Sequence, residues 1–218
     1  MKTGPLTIPL GILALFLGYF YTAKPLKFSY RGLGEFVIFL SCGFLTTVTG
    51  YYLQTGRFDI LATLASIPGA ITIFLVILAN EIPDIESDRV SGKINLAVRL
   101  GRERALRLVK SLPFLSFSLI LILPKFGIPK ISLFLSLSLI PLLILIPFEK
   151  RLEPLSIKTV IYDHLVTLIY SASFLLSAKL EVLDLILFII THGIFIAMEA
   201  GGILCSNLVN ISTSRSKP

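Results

Sequence analysis

One stretch of the sequence combines carboxylates and an amide in a pattern that suits phosphate chemistry. It runs ANEIPDIESDRVSGKINLAVRLG, from Ala79 to Gly101, directly after a long apolar run. Asn80, Asp84 and Asp88 follow one another at intervals of four, which on a helix places them on one face. Magnesium is often bound by one or two carboxylates together with the phosphate oxygens of a substrate. The spacing alone therefore fits a magnesium–phosphate site and, equally, a solvated helix end.

Two cations follow these carboxylates and favour the phosphate interpretation. Arg89 comes directly after Asp88, and Lys93 comes four residues after Arg89. Pro83 lacks the backbone N–H that a helix needs, so we expect the helix to kink or end there. Gly92 then allows the chain to turn. Clustered ionisable groups at the boundary of a membrane indicate function.

The composition identifies an integral membrane protein. The chain has 218 residues, of which 55% are hydrophobic and 15% charged, and its mean hydropathy is +0.88. Soluble domains carry about 25% charged residues. The net charge of +7 therefore indicates basic loops on the cytoplasmic side of a membrane, not a nucleic-acid-binding surface. The two cysteines provide no disulfide framework.

Seven apolar runs predict an all-α, multi-span transmembrane helical bundle. Each run is near the roughly 20 residues that cross hydrocarbon as a helix. The runs are 6–22, 34–53, 59–79, 109–124, 131–148, 159–178 and 184–204. The basic segment 99–110 is expected to form an interfacial helix ahead of the fourth run. We expect a single membrane domain over residues 1–218.

The distribution of lysine and arginine predicts the orientation in the membrane. If the loop 23–33 is cytoplasmic, alternation also places 80–110, 149–158 and the C-terminal tail in the cytoplasm. Together these segments carry 15 of the 20 Lys and Arg residues. We therefore expect a multi-pass protein of the cell membrane, with the acidic stretch at the cytoplasmic mouth of the bundle.

The acidic stretch resembles the second aspartate-rich motif of the UbiA superfamily of intramembrane prenyltransferases. That motif has the form N-x-x-x-D-x-x-x-D, followed by G-K and a tail similar to LAVRLG. YTAKPLKFSYRGLGE, residues 21–35, resembles a loop between two spans of the family. GFLTTVTGYYLQTG, residues 43–56, is similar to the branch that prenylates 1,4-dihydroxy-2-naphthoate in menaquinone synthesis. The resemblance covers about residues 6–178 and leaves 184–204 as an extra C-terminal span.

The resemblance implies roles for individual residues. Asp84 and Asp88, completed by Asn80, would bind Mg²⁺ and through it the diphosphate of a polyprenyl donor. Neither Lys24 nor Lys27 matches the family's usual spacing from the tyrosine of this loop, here Tyr21. The resemblance therefore leaves Lys24 as an alternative to Lys27 for binding diphosphate. The residues implied to bind diphosphate are Asn80, Lys27, Tyr21, Arg89 and Lys93.

The implied reaction is Mg²⁺-dependent transfer of a polyprenyl group from a prenyl diphosphate to an aromatic acceptor in quinone biosynthesis. The favoured acceptor is 1,4-dihydroxy-2-naphthoate. The metal and the basic side chains would neutralise the charge that develops on the leaving diphosphate. A dry cavity would protect the allylic cation until the aromatic ring attacks it. The implied partners are the two substrates and the lipid bilayer, without nucleic acid.

The first aspartate-rich motif of the family has no counterpart in this sequence. Residues 1–58 contain Glu35 as their only acid. We therefore expect that this chain alone does not transfer a prenyl group. It would then be a fragment, a degenerate homologue, or one half of a split enzyme whose second polypeptide supplies the missing N-terminal spans.

Other functions stay open at this point. Other acceptors within the family are hydroxybenzoate, homogentisate, a chlorophyll precursor and a lipid glycerol phosphate. CDP-alcohol phosphotransferases also pair aspartates four residues apart, but they need an upstream D-G-x-x-A-R pattern that this sequence lacks. A non-enzymatic divalent-cation carrier would use Asp84 and Asp88 as its transport site, and would place them near the bilayer midplane.

Overall fold

All regular secondary structure in the described part of the chain is helical, which confirms the all-α prediction. The computed structural model describes residues 4–177, without the side chains of residues 152–154 and 174–177. The predicted span 184–204 and the C-terminal tail lie outside the described residues. All contacts given below are made within residues 4–173.

Six long helices and two short ones make up this part of the chain. The loop between the first two long helices contains one 3₁₀ turn at Phe28–Tyr30, and the two short helices both lie between the third and fourth long helices. In chain order the helices are α1 (Thr7–Thr22), α2 (Gly34–Thr55), α3 (Ile60–Glu81), α4 (Ile85–Val90), α5 (Leu96–Leu100), α6 (Arg102–Phe126), α7 (Ile131–Phe148) and α8 (Leu152–Ser177).

The first six predicted spans are confirmed as helices. Four of them, α2, α3, α6 and α7, are long and apolar enough to cross a membrane, and α1 is a shorter apolar helix of 16 residues. The segment 99–110, expected to form an interfacial helix, is helical from Arg102 onward but continuous with the fourth apolar run, and its position at the membrane surface stays a prediction. Gly101, at φ +74°, ends α5, and from Arg102 the chain continues as α6 because Arg, Glu, Lys and Leu are strong helix formers.

The basic loops lie at the same end of the bundle, as the charge distribution predicts. The loop between α1 and α2 contacts the segment between α4 and α5, where Ile94 N donates to Tyr30 O over 3.1 Å. The start of α8 lies beside the end of α3, where Ser156 Oγ donates to Ala79 O over 3.4 Å. The structure therefore places these loops next to the acidic stretch.

Helix α3 is the centre of the packing. Leu75 and Leu78 on this helix are fully buried. Polar side chains connect α3 to its neighbours: Ser116 Oγ on α6 donates to Pro68 O over 3.3 Å. Interhelical hydrogen bonds of this kind are common in membrane bundles, where the surrounding lipid provides no hydrogen-bond partner. The end of α3, where the acidic stretch begins, is therefore held in a fixed position.

Helices α2 and α3 approach most tightly at Gly43. A Cβ atom at this position would lie 2.3 Å from the Cα atom of Ala70. We expect Gly43→Ala to lower the free energy of unfolding by about 1–3 kcal/mol, because the two backbones must separate. Thermal unfolding in detergent measures this. Gly50→Ala on the same helix is the control, because its Cβ would meet no atom within 4 Å. Equal stability of the two variants would contradict the close approach.

Candidate functional site

The acidic stretch folds into a break between α3 and α4. Helix α3 ends at Glu81, Pro83 lies in the turn, and Asp84 occupies the N-cap position of α4. The expected helix end beside Pro83 is thus confirmed. Asn80 belongs to α3 whereas Asp84 and Asp88 belong to the start of α4, so the three residues do not share one continuous helix. Asn80 and Asp84 are both exposed.

Asp88 is the better anchored of the two aspartates. Its backbone N–H donates to Asp84 O over 2.8 Å, which keeps the two residues one turn apart. Asp88 Oδ2 accepts hydrogen bonds from Lys93 Nζ over 2.9 Å and from Asn95 Nδ2 over 2.7 Å. Asp88 Oδ1 makes no hydrogen bond to any described residue, so this oxygen is available to a ligand.

Lys93 is paired with Asp88, not directed freely into solvent. Burial acts to lower the pKa of Lys93, but the hydrogen bond and charge of Asp88, with Glu81 and Asp84 nearby, outweigh burial and raise it. The ammonium group is therefore charged at neutral pH. A phosphate oxygen that approaches Asp88 would meet this cation as well, so the pair can present a metal ligand and a phosphate ligand side by side.

Asn95 is a site residue that our sequence analysis did not identify. Its side chain is fully buried. Its Oδ1 atom accepts from Val98 N over 2.9 Å and so caps α5, while its Nδ2 atom donates to Asp88. An asparagine immediately before a helical segment is an N-cap signal. That signal predicts the cap, but the bond to Asp88 depends on the turn at Gly92, where φ is +77°.

Two glutamates are buried beneath this surface. Glu35 at the start of α2 is 1% exposed and Glu81 is 8% exposed, and their carboxyl groups lie close together. Glu35 Oε1 accepts from Leu96 N over 2.5 Å. The Oε2 atoms of both glutamates are buried without a hydrogen-bond partner among the described residues. Glu35 therefore fixes the start of α5 to the body of the bundle.

Two predicted site residues lie at this end of the molecule: Tyr21 in the last turn of α1, and Lys27 in the loop between α1 and α2. Tyr21 lies within electrostatic range of Glu81 and Glu35. Lys27 adopts a left-handed backbone conformation at φ +45°, and its Nζ atom lies 4.6 Å from the ring centroid of Tyr30. The structure thus places Tyr21 beside the buried glutamates, and places Lys27 on the loop that contacts the acidic stretch.

Arg89 forms its ion pair with Glu86. Its Nη1 atom lies 3.6 Å from Glu86 Oε2, and both side chains are more than half exposed. Exposed pairs of this kind contribute about 0–1 kcal/mol, so Arg89 can leave Glu86 at little cost. Its predicted role at a diphosphate stays a prediction.

The oxygen atoms at this site fit a magnesium ion bound together with a diphosphate. The part of the chain that the structure describes contains no group of three His, Cys, Asp or Glu side chains that could hold a metal by themselves. Magnesium commonly takes one or two carboxylates and completes its octahedron with water and substrate phosphates. The Asp84 carboxylate and Asp88 Oδ1 provide that number of protein ligands.

Comparison with known proteins identifies the family. A model of the UbiA prenyltransferase family matches residues 1–152. The chain belongs to this family. The match ends before the predicted limit of the resemblance at residue 178. The family match decides against the CDP-alcohol phosphotransferase alternative. No solved structure matches the chain.

Several UbiA relatives are similar to part of this chain. "UbiA prenyltransferase domain-containing protein 1" of Dictyostelium discoideum is 36% identical over 155 residues, which are 70% of this chain and 47% of that protein. Two proteins named 1,4-dihydroxy-2-naphthoate octaprenyltransferase are also similar. The Bacillus subtilis protein is 32% identical over 46% of this chain and 32% of its own length. The Haemophilus influenzae protein is 38% identical over 42% and 30%. The chain thus spans less than half the length of each relative.

We expect Glu35→Ala to destabilise the docking of α5, because Leu96 N loses its acceptor in a half-buried position. The expected cost is about 1–3 kcal/mol in the free energy of unfolding. Glu35→Gln is the matched control, because its amide oxygen can still accept from Leu96 N. Thermal unfolding in detergent compares the two variants. An alanine variant as stable as the glutamine variant would show that this bond does not hold α5.

Proposed function

We propose that this chain binds the Mg²⁺–diphosphate group of a polyprenyl diphosphate through Asp84 and Asp88, as part of an enzyme that transfers the polyprenyl group to an aromatic acceptor. The observation that carries the proposal is the grouping of Asp88, Lys93 and Asn95 in the segment that follows α3, in a chain of the UbiA prenyltransferase family. The site lies at the end of the bundle that carries the basic loops, so we also propose that it faces the cytoplasm of a cell membrane.

The chemistry requires that negative charge on the leaving diphosphate be stabilised. Bound magnesium would supply Lewis-acid stabilisation of that charge. Asp84 and Asp88 Oδ1 would hold the ion, and the Lys93 ammonium group would donate to a diphosphate oxygen while it stays beside Asp88. Tyr21, in the last turn of α1, would help to orient the diphosphate. The apolar helices would exclude water from the prenyl chain.

We favour 1,4-dihydroxy-2-naphthoate as the acceptor and quinone biosynthesis as the context. The support comes from the names of the Bacillus subtilis and Haemophilus influenzae relatives, which are both 1,4-dihydroxy-2-naphthoate octaprenyltransferases. Asp84, Asp88 and Lys93 are proposed to bind the donor. The choice of acceptor therefore depends on other parts of the protein. Hydroxybenzoate, homogentisate, chlorophyll-type and glycerol-phosphate acceptors are therefore the competitors that an assay must include.

The position of the aspartates argues against the cation-carrier alternative. A transport site within the membrane needs its ligands near the bilayer midplane. Asp84 lies beyond Glu81, the last residue of the apolar helix α3, and is exposed. A carboxylate in this position suits a substrate that approaches from the aqueous side with its diphosphate first.

Replacing both aspartates tests the donor site. We expect Asp84→Asn with Asp88→Asn to raise the Kd for farnesyl thiodiphosphate in the presence of Mg²⁺ at least tenfold, because the metal loses its protein ligands. Glu86→Gln is the control, since it removes an acid from the same short helix without touching the pair. The rise in Tm caused by the ligand measures binding. Unchanged binding by the double variant, or equal loss in the control, would contradict the proposal.

Transfer is tested with labelled prenyl diphosphate, Mg²⁺ and each candidate acceptor in turn. In native membranes that contain the chain, we expect label in the naphthoate product, and none when both aspartates are replaced by asparagine. The purified chain alone is expected to give no product, as the missing first motif predicts. Preference for hydroxybenzoate would contradict the proposed acceptor, and transfer by the purified chain would contradict its expected inactivity alone.

A further inference from the structure

We propose that Asn95 is a positioning residue that fixes the Asp88 carboxylate so that a single oxygen, Oδ1, faces the cation. This inference rests on the proposed function of Asp84 and Asp88. It adds to the site a residue that does not itself touch metal or diphosphate. Asn95 would act through Asp88, by holding the oxygen that the metal does not use.

The Asn95 amide is bonded at both ends. The side chain is fully buried, and both of its polar atoms are bonded. Its oxygen accepts from Val98 N over 2.9 Å and its nitrogen donates to Asp88 Oδ2 over 2.7 Å. An amide provides an acceptor and a donor on one rigid plane. The plane of Asn95 is thus set by α5, and that plane in turn sets the position of Asp88 Oδ2.

Of the two donors to Asp88 Oδ2, Asn95 has the more firmly anchored side chain. Lys93 carries four rotatable side-chain bonds, and its side chain is 26% exposed. Asn95 precedes Leu96, whose backbone N–H donates to the buried Glu35 carboxylate over 2.5 Å. The Asp88 carboxylate is therefore tied through Asn95 and α5 to helix α2.

The two oxygens of the Asp88 carboxylate are bonded differently. Two donors bond Oδ2, while Oδ1 has no hydrogen bond to a described residue. This arrangement favours binding of the metal through one oxygen, because the two donors fill both lone pairs of Oδ2 and bidentate binding would have to displace at least one of them. Contacts that orient metal ligands in this way typically contribute 10–100-fold to metal affinity.

The test measures Mn²⁺ binding to the full chain in the presence of inorganic pyrophosphate, followed by the electron paramagnetic resonance signal of Mn²⁺. Asn95→Ser keeps an N-cap acceptor for Val98 N but is too short to reach Asp88 as well. We expect this variant to raise the Kd for Mn²⁺ by 10–100-fold. Asn95→Ala loses both bonds. We expect its Kd for Mn²⁺ to equal that of Asn95→Ser, and its Tm to be lower than that of Asn95→Ser.

A matched control separates positioning from general stability. Asp59 caps the start of α3 by accepting from Leu61 N over 2.6 Å, and it lies at the opposite end of that helix from the site. We expect Asp59→Ala to lower the Tm and to leave the Kd for Mn²⁺ within twofold of the wild-type value. If Asp59→Ala weakens Mn²⁺ binding as much as Asn95→Ser does, the effect is one of stability and the inference is wrong.

Failure of this inference is distinguishable from failure of the proposed function. If Mn²⁺ binding needs Asp84 and Asp88, but Asn95→Ser binds Mn²⁺ as tightly as the wild-type protein, only the role of Asn95 is overturned. If replacement of both aspartates leaves Mn²⁺ binding unchanged, the proposed metal site is wrong, and the inference about Asn95 fails with it.

Discussion

The site depends on one constraint: the segment that contains α4 and α5, after the break that ends α3, must be held against the loop between α1 and α2 and the start of α2. The bond from Leu96 N to the buried carboxylate of Glu35 connects residues 61 positions apart, and Ile94 N bonds Tyr30 O beside it. Without this docking, α4 and α5 would be a solvated loop, and Asp88 would have no fixed neighbour. Once the segment is docked, Asn95 is buried and the carboxylate of Asp88 acquires a defined direction. The geometry of the aspartate pair therefore follows from tertiary contacts more than from its four-residue spacing.

The sequence predicts the helices well because membrane spans are specified locally. Apolar runs of sufficient length allow no other arrangement of backbone hydrogen bonds in lipid, so the positions of α2, α3 and α7 follow from composition. The break at Pro83 follows from its missing N–H. The start of α6 was predicted too late, because hydropathy identifies the apolar part of a helix. It does not detect basic turns such as Arg102–Arg107 that extend the same helix into water.

The sequence predicts the chemical types at the site but not their pairing. Asp84, Asp88 and Lys93 were expected to meet a phosphate, and the structure brings Asp88 and Lys93 into direct contact. The Glu35–Glu81 proximity and the Asn95–Asp88 bond could not be predicted, because each joins elements whose relative position is set by packing. Arg31 lies only four residues before Glu35, yet its side chain donates to Pro25 O over 2.8 Å. Local spacing identifies candidate residues, and the fold decides which of them interact.

The central claim is that Asp84 and Asp88 Oδ1 bind a divalent cation together with a prenyl diphosphate. Anomalous X-ray scattering from crystals grown with Mn²⁺ and farnesyl thiodiphosphate tests it most directly. The account predicts a manganese peak within about 2–2.5 Å of both Asp84 and Asp88 Oδ1, with diphosphate oxygens completing the coordination. Bound diphosphate without manganese at these two side chains, or manganese bound elsewhere, would contradict it.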